Sequence, residues 1–457
     1  MLQELSSAVR EGRVSPRELV EESLRRIEKA NGELNAVVAL RAEDALAEAD
    51  SLSDQRRNGP LAGVPLLVKD LSDVAGMRST LGSPVHANDP PAVTDSTVAA
   101  RLRAAGAIVV GKTNTPAFGW TGFTDNQLFG ATRSPWNTDR SPGGSSGGSG
   151  AALASGLAPL ATTTDGGGSV RIPASLCGLV GYKPTLGVIA RDSAPKWITF
   201  STAGATNATV ADVMLEASVL TGPNGTDLNE LPTDSVTIEA ARPSRVIACR
   251  TLRADIDPAI EAAFEGTLGV VESDLGLPIE RIDDVFGDDS LPFSWFAVGS
   301  AEFAQALSWC RDQWDTFEPG LAWLLKVGAE VSTADYLENQ RKRYVAAERL
   351  ESLLGGDAVL VTPTLNVTSW GPSGPLPDAA GKVSDDPTIA VNTMDFNFTG
   401  HPAVSVPIGI SPEGVPIGLQ VVAPRFADRF ALGLAAALEA AQPWARTAPG
   451  FDSFPTP

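Results

Sequence analysis

Apolar residues along the chain switch between helical periodicity and short continuous runs. Ser-Pro-Arg-Glu at 15–18 is typical of a helix start, with Ser15 as the cap and proline at the first helical position. Apolar side chains then recur at helical spacing up to residue 27, which predicts an amphipathic helix. Residues 64–68 and 107–110 are short, continuously apolar runs of the kind found in buried strands, and a helical pattern at 97–105 separates them. This alternation predicts an α/β fold rather than a β-sandwich.

The second half of the chain begins with helical patterns and then returns to strand patterns. Residues 260–275, 293–314 and 334–354 have helical spacing, and the second of these is rich in tryptophan. Strands are predicted at 245–249, 358–362, 403–408 and 417–422, before a final helix at 430–441. No fixed-period repeat is visible in the sequence, which argues against solenoids and propellers.

Composition and charge narrow the partners of the protein. The 457 residues carry a formal net charge of −20 without a run of Lys and Arg, so a nucleic-acid surface is not expected and a small-molecule partner is. The first residues lack the basic and apolar regions of a signal peptide, which predicts a cytosolic location. Three scattered cysteines, Cys177, Cys249 and Cys310, fit neither a disulfide framework nor a zinc site.

The stretch from 142 to 171 frames serines with glycines and carries the candidate chemistry. Ser145 and Ser146 lie in GGSSGGS, and Ser169 follows three glycines. A flexible linker is disfavoured because residues 151–160 are small and apolar, as in a packed core. The stretch also lacks the Lys-Ser/Thr of a phosphate-binding loop and the glycine spacing of a dinucleotide site, and it is too polar to span a membrane. A serine nucleophile remains the best interpretation.

A serine nucleophile needs a base, and the sequence restricts which residue that is. His86 and His401 are the only histidines, so neither a zinc site nor a Ser-His-Asp triad is supported. No glutamate lies between positions 48 and 216. A lysine buried at a strand end is the best remaining base because desolvation lowers its pKa. Lys69 and Lys112 both fit this description, and their spacing does not decide between them.

Three segments now carry a family resemblance. LLVKD around Lys69, GGSSGGS at 143–149 and TDGGGSVRIPASLCG at 164–178 resemble the amidase signature family of serine hydrolases. The resemblance covers residues 60–212, recurs from about 355 to 445 and is weak between. It implies one α/β domain over 1–457 with a central mixed β-sheet covered by helices on both faces. Its expected parts are an N-terminal helical layer (1–60), a catalytic core (61–232), a variable, largely helical substrate-side region (233–354) and a C-terminal return to the sheet (355–457).

The resemblance assigns roles to individual residues. It implies a Ser-cisSer-Lys triad in which Ser169 is the nucleophile, Ser145 bridges after a cis peptide and Lys69, rather than Lys112, is the base. The implied oxyanion donors are the backbone N–H groups of Gly166, Gly167, Gly168 and Ser169. The implied acyl-pocket residues are Gly119, Trp120 and Thr121, and the implied supporting residues are Ser146, Asp165 and Arg171. Relatives usually carry a bulkier residue at position 166, so Gly166 is expected to loosen the oxyanion loop or widen the pocket.

The implied function is hydrolysis of a small-molecule carboxamide or N-substituted amide to a carboxylic acid and ammonia or an amine, through an acyl-enzyme. No cofactor, metal, nucleic acid or membrane is expected, and a homodimer is left open. The alternative is the catalytic A-type subunit of a tRNA-dependent amidotransferase. It is disfavoured because the arginine-rich segment of those subunits has no clear counterpart at 340–349 and because the chain is strongly acidic.

Overall fold

The structure is a computed structural model that describes residues 1–192, 197–253, 255–287, 291–384, 386 and 388–455. Its strands within these residues are β1 (Val37–Leu40), β2 (Pro65–Lys69), β3 (Ile108–Thr113), β4 (Leu160–Ala161), β5 (Thr163–Asp165), β6 (Val180–Lys183), β7 (Thr202–Asn207), β8 (Val246–Cys249), β9 (Ile279–Ile282), β10 (Val359–Pro363), β11 (Ala403–Ile410) and β12 (Pro416–Val422). They form a four-stranded sheet in the order β1-β3-β2-β4 and an eight-stranded sheet in the order β5-β7-β6-β11-β12-β10-β8-β9.

Helices surround these strands. The α-helices are α1 (Leu2–Arg10), α2 (Pro16–Leu34), α3 (Ala42–Asp50), α4 (Asp54–Arg57), α5 (Thr97–Ala104), α6 (Gly147–Ala154), α7 (Arg171–Cys177), α8 (Val210–Leu220), α9 (Pro258–Ser273), α10 (Leu291–Ala306), α11 (Pro319–Glu330), α12 (Thr333–Leu354), α13 (Met394–Phe398) and α14 (Asp428–Ala441). The predicted cap of α2 is a reciprocal one, because Ser15 accepts from the Glu18 N–H while the Glu18 carboxylate accepts from the Ser15 N–H.

The small sheet is buried on both faces. Strand β2 runs parallel to β3 and β4, and β1 pairs antiparallel with β3. Successive side chains of a strand point to opposite faces, so Leu66 and Val68 pack in a cluster with α1 and α5 while Leu67 packs in a cluster with α2 and α6. Strand β4 ends at Ala161 and β5 begins at Thr163, which joins the edges of the two sheets. The carboxyl end of β2 therefore lies beside this junction.

The large sheet is also covered on both sides. Val359 and Val361 pack in a cluster with α9 and α14, whereas Leu360 between them packs in a cluster with α12. Pairing in this sheet is antiparallel except for β8, which runs parallel to both β9 and β10. The predicted α/β class with mixed pairing and helices on both faces is confirmed, with the difference that the strands form two adjoining sheets.

Two local differences from the predicted pattern have clear causes. Strand β1 lies inside the N-terminal layer predicted to be helical, because residues 37–40 pair with β3. The tryptophan-rich segment 293–314 is α10 followed by a 3-10 segment, Ser308–Thr316, which breaks helical dihedral angles at Cys310. The division of the chain at 60, 232 and 354 stays a prediction.

Candidate active site

The ends of two strands and the starts of two helices bring the predicted residues together. Lys69 is the last residue of β2, and Thr164 lies in β5. Ser145 lies two residues before α6, and Ser169 lies two residues before α7. Every residue of α6 is buried. Most of them are glycine or alanine, which are small enough to let neighbouring segments pack close to the helix and bring the predicted residues together.

Lys69 is fully buried among hydroxyl groups. Its Nζ lies 2.8 Å from Ser145 Oγ, 2.8 Å from Ser146 Oγ and 3.0 Å from Thr164 Oγ1. Burial lowers the pKa of Lys69 well below its usual value, and the charge of Asp165 opposes this only in part. A lysine in this environment can be neutral near physiological pH and can accept a proton.

Lys112, the other lysine at a strand end, has different partners. Its Nζ lies 3.1 Å from Asp70 Oδ1 and donates to Ser72 O at 3.0 Å and Ser79 Oγ at 2.6 Å. It therefore holds an ion pair with Asp70 rather than a contact with the two predicted catalytic serines. Of the two lysines that the sequence left open, the structure brings Lys69 to Ser145.

The two serines differ in their surroundings. The Gly144–Ser145 peptide is cis, and Gly144 leaves no room for a side chain, because a Cβ there would lie 2.6 Å from Phe123 O. Ser145 Oγ is held by Lys69. Ser169 is slightly exposed and borders two cavities, and its hydroxyl has no hydrogen bond to the part of the chain that the structure describes. The Ser169 hydroxyl is thus available to a bound molecule.

The glycine loop before Ser169 does not offer all of its N–H groups equally. The Gly168 N–H donates to Asp165 Oδ1 at 2.7 Å, and Gly168 has a φ of +127°, which favours glycine. The N–H groups of Gly166, Gly167 and Ser169 find no acceptor among the described residues. Three of the four predicted oxyanion donors are therefore free, and the fourth is used by Asp165.

Asp165 and Arg171 form a fully buried ion pair that brackets the loop. Arg171 Nη2 lies 2.9 Å from Asp165 Oδ1, and Arg171 Nε lies 3.0 Å from Asp165 Oδ2. Burial alone would raise the pKa of Asp165, but the charge and hydrogen bonds of Arg171, with smaller contributions from Lys183 and Asn397, outweigh it and bring the pKa to about 2. Arg171 also donates to Thr393 O and to Gln420 Oε1. The two residues thus form a buried pair in contact with the loop, and their supporting role stays a prediction.

Two cavities meet at Ser169. The polar cavity, of about 390 Å³, is lined by residues that include Ser145, Thr164, Gly166, Arg191 and Thr202. The aromatic cavity, of about 240 Å³, is lined by residues that include Trp120, Phe123, Trp295, Phe296 and Trp323, together with Thr121 and Gly167. Gly119, Ser169 and Trp197 border both. The predicted acyl-pocket residues, 119–121, all line the aromatic cavity.

The space beside Gly166 is occupied by a tryptophan. A Cβ at position 166 would lie 2.0 Å from Trp197 Cε3 and 2.3 Å from Trp197 Cζ3. Trp197 is held in turn by a hydrogen bond of its Nε1 to Gly299 O at 3.1 Å and by ring contacts with Trp295 and Phe303. The absence of a side chain at Gly166 therefore leaves no gap at this point of the pocket, contrary to the expected widening.

Sequence reasoning missed several side chains that complete the site. Thr164 lies in the quoted motif but received no role, and Trp197 lies in a segment without a motif. Thr393 and Asn397 come from the far end of the chain, where Thr393 Oγ1 donates to Gly167 O at 2.6 Å and Asn397 Nδ2 donates to Asp165 Oδ1 at 2.9 Å. Nothing in the local sequence around 393–397 signals these contacts, because they depend on how the last strands pack.

Both histidines have partners other than Lys69, Ser145 and Ser169. His86 is paired with Asp89 at 2.7 Å, and the buried His401 contacts Thr399 and Glu351. Within the described ranges, no group of three or more His, Cys, Asp or Glu side chains is arranged to hold a metal ion. None of the helices in the same ranges combines the length and the apolar character that crossing a membrane requires.

The chain is similar to known proteins in sequence and in fold. The sequence model of the family described as Amidase matches residues 18–432. The chain belongs to the amidase family. The amidase is 33% identical over 473 residues to an acylamidase of Rhodococcus erythropolis, in a match that covers 98% of this chain and 96% of the relative.

Two further relatives bear on the choice between functions. The amidase is 32% identical over 496 residues to a glutamyl-tRNA(Gln) amidotransferase subunit of Thioalkalivibrio sulfidiphilus, in a match that covers 98% of this chain and 99% of the relative. It also resembles the crystal structure of a bacterial aryl acylamidase of the amidase signature family, with a TM-score of 0.88 and 28% identity over 96% of each chain. The predicted family, fold class and enzyme class, an amidase acting on C–N amide bonds, are confirmed.

Proposed function

We propose that this amidase hydrolyses small-molecule carboxamides or N-substituted amides through an acyl-enzyme on Ser169. The observation that carries the proposal is the contact between a buried, desolvated Lys69 and Ser145, which lines the same cavity as the free Ser169 hydroxyl. Two relatives, an acylamidase and an aryl acylamidase, support N-acyl amines, including ones with an aryl group, as the substrates to test.

The hydrogen bonds around Lys69 give the proton a direction. Ser146 Oγ donates to Thr164 O at 3.3 Å, so it can only accept from Lys69. A neutral amine has two N–H donors and one lone pair. In the proposed relay, Ser146 and Thr164 accept the two N–H groups of Lys69, and its lone pair accepts the proton of Ser145. Ser145 then donates its proton to Lys69 and accepts one from Ser169 as Ser169 attacks the amide carbonyl.

The same relay run backwards completes the reaction. Lys69 returns the proton through Ser145 to the departing nitrogen, and the carbon–nitrogen bond breaks to leave an ester on Ser169. Water, activated by the same two groups, then attacks this ester and releases the carboxylic acid. The negative charge on the carbonyl oxygen is held in both steps by the N–H groups of Gly166, Gly167 and Ser169, while Gly168 keeps the loop in shape.

The two cavities give the substrate an orientation. Ser145 lines the polar cavity but not the aromatic one, and in the proposed relay Ser145 delivers the proton to the departing nitrogen. The amine part therefore occupies the polar cavity, and the acyl part occupies the aromatic cavity beside Gly119, Trp120 and Thr121. An apolar, ring-sized acyl group matches a cavity of about 240 Å³ walled by aromatic side chains.

Because the chain is also similar to an amidotransferase subunit, the experiment must also distinguish hydrolysis from the function of an amidotransferase subunit. We favour hydrolysis by the chain alone, because the strongly acidic chain lacks a clear counterpart of the arginine-rich segment of those subunits. The cytosolic location, a homodimer, and the absence of nucleic-acid, membrane and cofactor partners stay predictions.

The test measures hydrolysis and labelling with the purified chain. A panel of acetamide, arylacetamides, N-aryl acetamides and fatty amides is assayed for ammonia or amine release, and a fluorophosphonate probe is used to label the nucleophile. We expect turnover without a partner protein and labelling that disappears in Ser169→Ala. Ser155→Ala, which changes a buried serine at the end of α6, serves as the matched control and should be labelled normally.

Two outcomes would contradict the proposal. Labelling that persists in Ser169→Ala would remove the assigned nucleophile. Turnover that requires an added partner protein and tRNA would favour the amidotransferase function instead.

A further inference from the structure

Trp295 reaches the oxyanion loop from α10, a helix in the region that carries no family motif. Its Nε1 donates to Gly166 O at 3.1 Å. Its ring covers Gly167 so closely that a Cβ there would lie 2.5 Å from Trp295 Cζ2. One side chain therefore contacts both residues of a single peptide group in the loop.

That peptide group includes a free N–H. Gly166 O and the Gly167 N–H belong to the same planar unit and point in opposite directions in a trans peptide. A hydrogen bond that fixes the carbonyl thus fixes the direction of the N–H. Because the Gly167 N–H has no acceptor among the described residues, the contact with Trp295 is what holds this donor in one orientation.

The other carbonyls of the loop have their own partners. Thr393 Oγ1 donates to Gly167 O at 2.6 Å, and the Ile172 N–H donates to Gly168 O at 2.7 Å. The following N–H, that of Gly168, is held by Asp165. Trp295 is therefore the side chain that holds the Gly166–Gly167 peptide in its orientation, and the neighbouring peptides would stay in place without it.

The indole is itself held in place. It packs edge to face against Trp197, with ring centroids 5.6 Å apart at an interplanar angle of 64°, and lies 6.1 Å from the Phe200 ring. Trp197 in turn covers Gly166. Two tryptophans from outside the loop thus cover two successive glycines of the loop, and only one of them, Trp295, is bonded to a loop carbonyl.

We propose that Trp295 is a positioning residue of the oxyanion hole, which aims the Gly167 N–H through its hydrogen bond to Gly166 O. The proposal rests on the proposed function, in which that N–H stabilises the oxyanion. The hydrogen bond also polarises the peptide group, which makes the N–H a stronger donor. The gain appears in the transition state, where the oxygen carries charge, more than in the bound substrate.

The test replaces the indole with rings that lack its N–H. Trp295→Phe keeps an aromatic side chain, and benzothienylalanine at position 295 keeps the bicyclic shape with sulfur in place of N–H. Trp444→Phe is the matched control, because Trp444 Nε1 also donates to a backbone carbonyl, Ala208 O at 3.0 Å, outside both cavities. For each protein, kcat and KM are measured on an amide that the wild type hydrolyses, and the rate of fluorophosphonate labelling is measured as well.

We expect both Trp295 variants to lose about tenfold in kcat, less than the loss of about 10²–10³ seen when an oxyanion donor is removed outright. KM should stay within about twofold, because the interaction is made mainly in the transition state. The labelling rate should fall in parallel, since the phosphoryl oxygen of the probe takes the place of the oxyanion. Trp444→Phe should match the wild type.

Three results would overturn the proposal. One is an unchanged kcat and labelling rate in the benzothienylalanine protein, which folds with the same ring shape. Another is a rise in KM with kcat retained, which would make Trp295 a wall of the aromatic cavity only. The third is an equal loss in Trp444→Phe. If the wild type hydrolyses no amide of the panel, the proposed function fails, whereas the labelling rates still decide the role of Trp295.

Discussion

Replacing Gly166 with alanine tests the packing of the oxyanion loop directly. The added methyl would lie 2.0 Å from Trp197 Cε3, whereas carbon atoms in contact are about 3.5 Å apart, so the indole must withdraw by about 1.5 Å. Gly166 does not have a positive φ, so the backbone accepts alanine and the effect comes from this contact. Overpacking of this kind costs about 1–3 kcal/mol.

The clash involves a single neighbouring side chain, so a double-mutant cycle can measure its contribution to the loss of stability. The three nearest atoms to the new methyl all belong to Trp197, whose withdrawal would strain its bond to Gly299 O and its contacts with Trp295 and Phe303. Trp197→Ala should therefore relieve the clash. In the double variant the loss of stability should be smaller than the sum of the two single losses by about 1–3 kcal/mol.

The assay is urea denaturation of the four proteins of this cycle, together with kcat on one amide. Gly166→Ala should also lower kcat by about tenfold to a hundredfold, because shifts near 1 Å at the reacting centre have effects of this size. Gly269→Ala in α9 is the control, since a Cβ there meets no atom within 4 Å and alanine favours a helix. Full stability of Gly166→Ala, or strictly additive losses in the double variant, would refute the reasoning.

Two further predictions concern buried charges. Lys69 is expected to be neutral in the folded protein and charged when unfolded, so activity should be lost as the pH falls through its lowered pKa, and the free energy of unfolding should rise with pH from that pKa to about 10.4. Lys69→Met should abolish activity and remove this part of the pH dependence of unfolding. An activity that is flat from about pH 6 to 9 would count against Lys69 as the base. Asp165→Asn leaves Arg171 buried without its counter-ion and should lower the free energy of unfolding by about 3–5 kcal/mol in urea titrations, whereas Asp50→Asn, in the exposed pair with Arg17, should change it little.

The sequence predicted the elements whose apolar pattern is strong. The helix predicted at 97–105 is α5, the strand predicted at 64–68 is β2, and the last two strands and last helix appear within a few residues of their predicted bounds. Strands such as β5 and β7 were missed because Thr163–Asp165 and Thr202–Asn207 are short or built of small and polar residues. Their strand conformation depends on pairing with neighbours, which local periodicity does not encode.

The site also contains residues that the sequence predicts and residues that it does not. The motif residues Lys69, Ser145 and Ser169 could be named from their order and spacing once the resemblance was recognised, and the structure brings Lys69 and Ser145 into contact. Trp197 and Trp295 could not, because the fold brings them to the glycine loop from segments without motifs. The occupied N–H of Gly168 was also beyond the sequence, since it depends on where the Asp165 carboxylate points.

The partners of Arg171 have a consequence for how the protein is made. Its guanidinium donates to Thr393 O and Gln420 Oε1, which are 222 and 249 positions further along the chain. A ribosome that has synthesised the glycine loop and both serines has not yet synthesised these acceptors. A buried arginine without its acceptors is unfavourable, so the loop cannot settle around Ser169 in a partial chain. The nascent protein is therefore expected to acquire a competent nucleophile only after residue 420 has emerged.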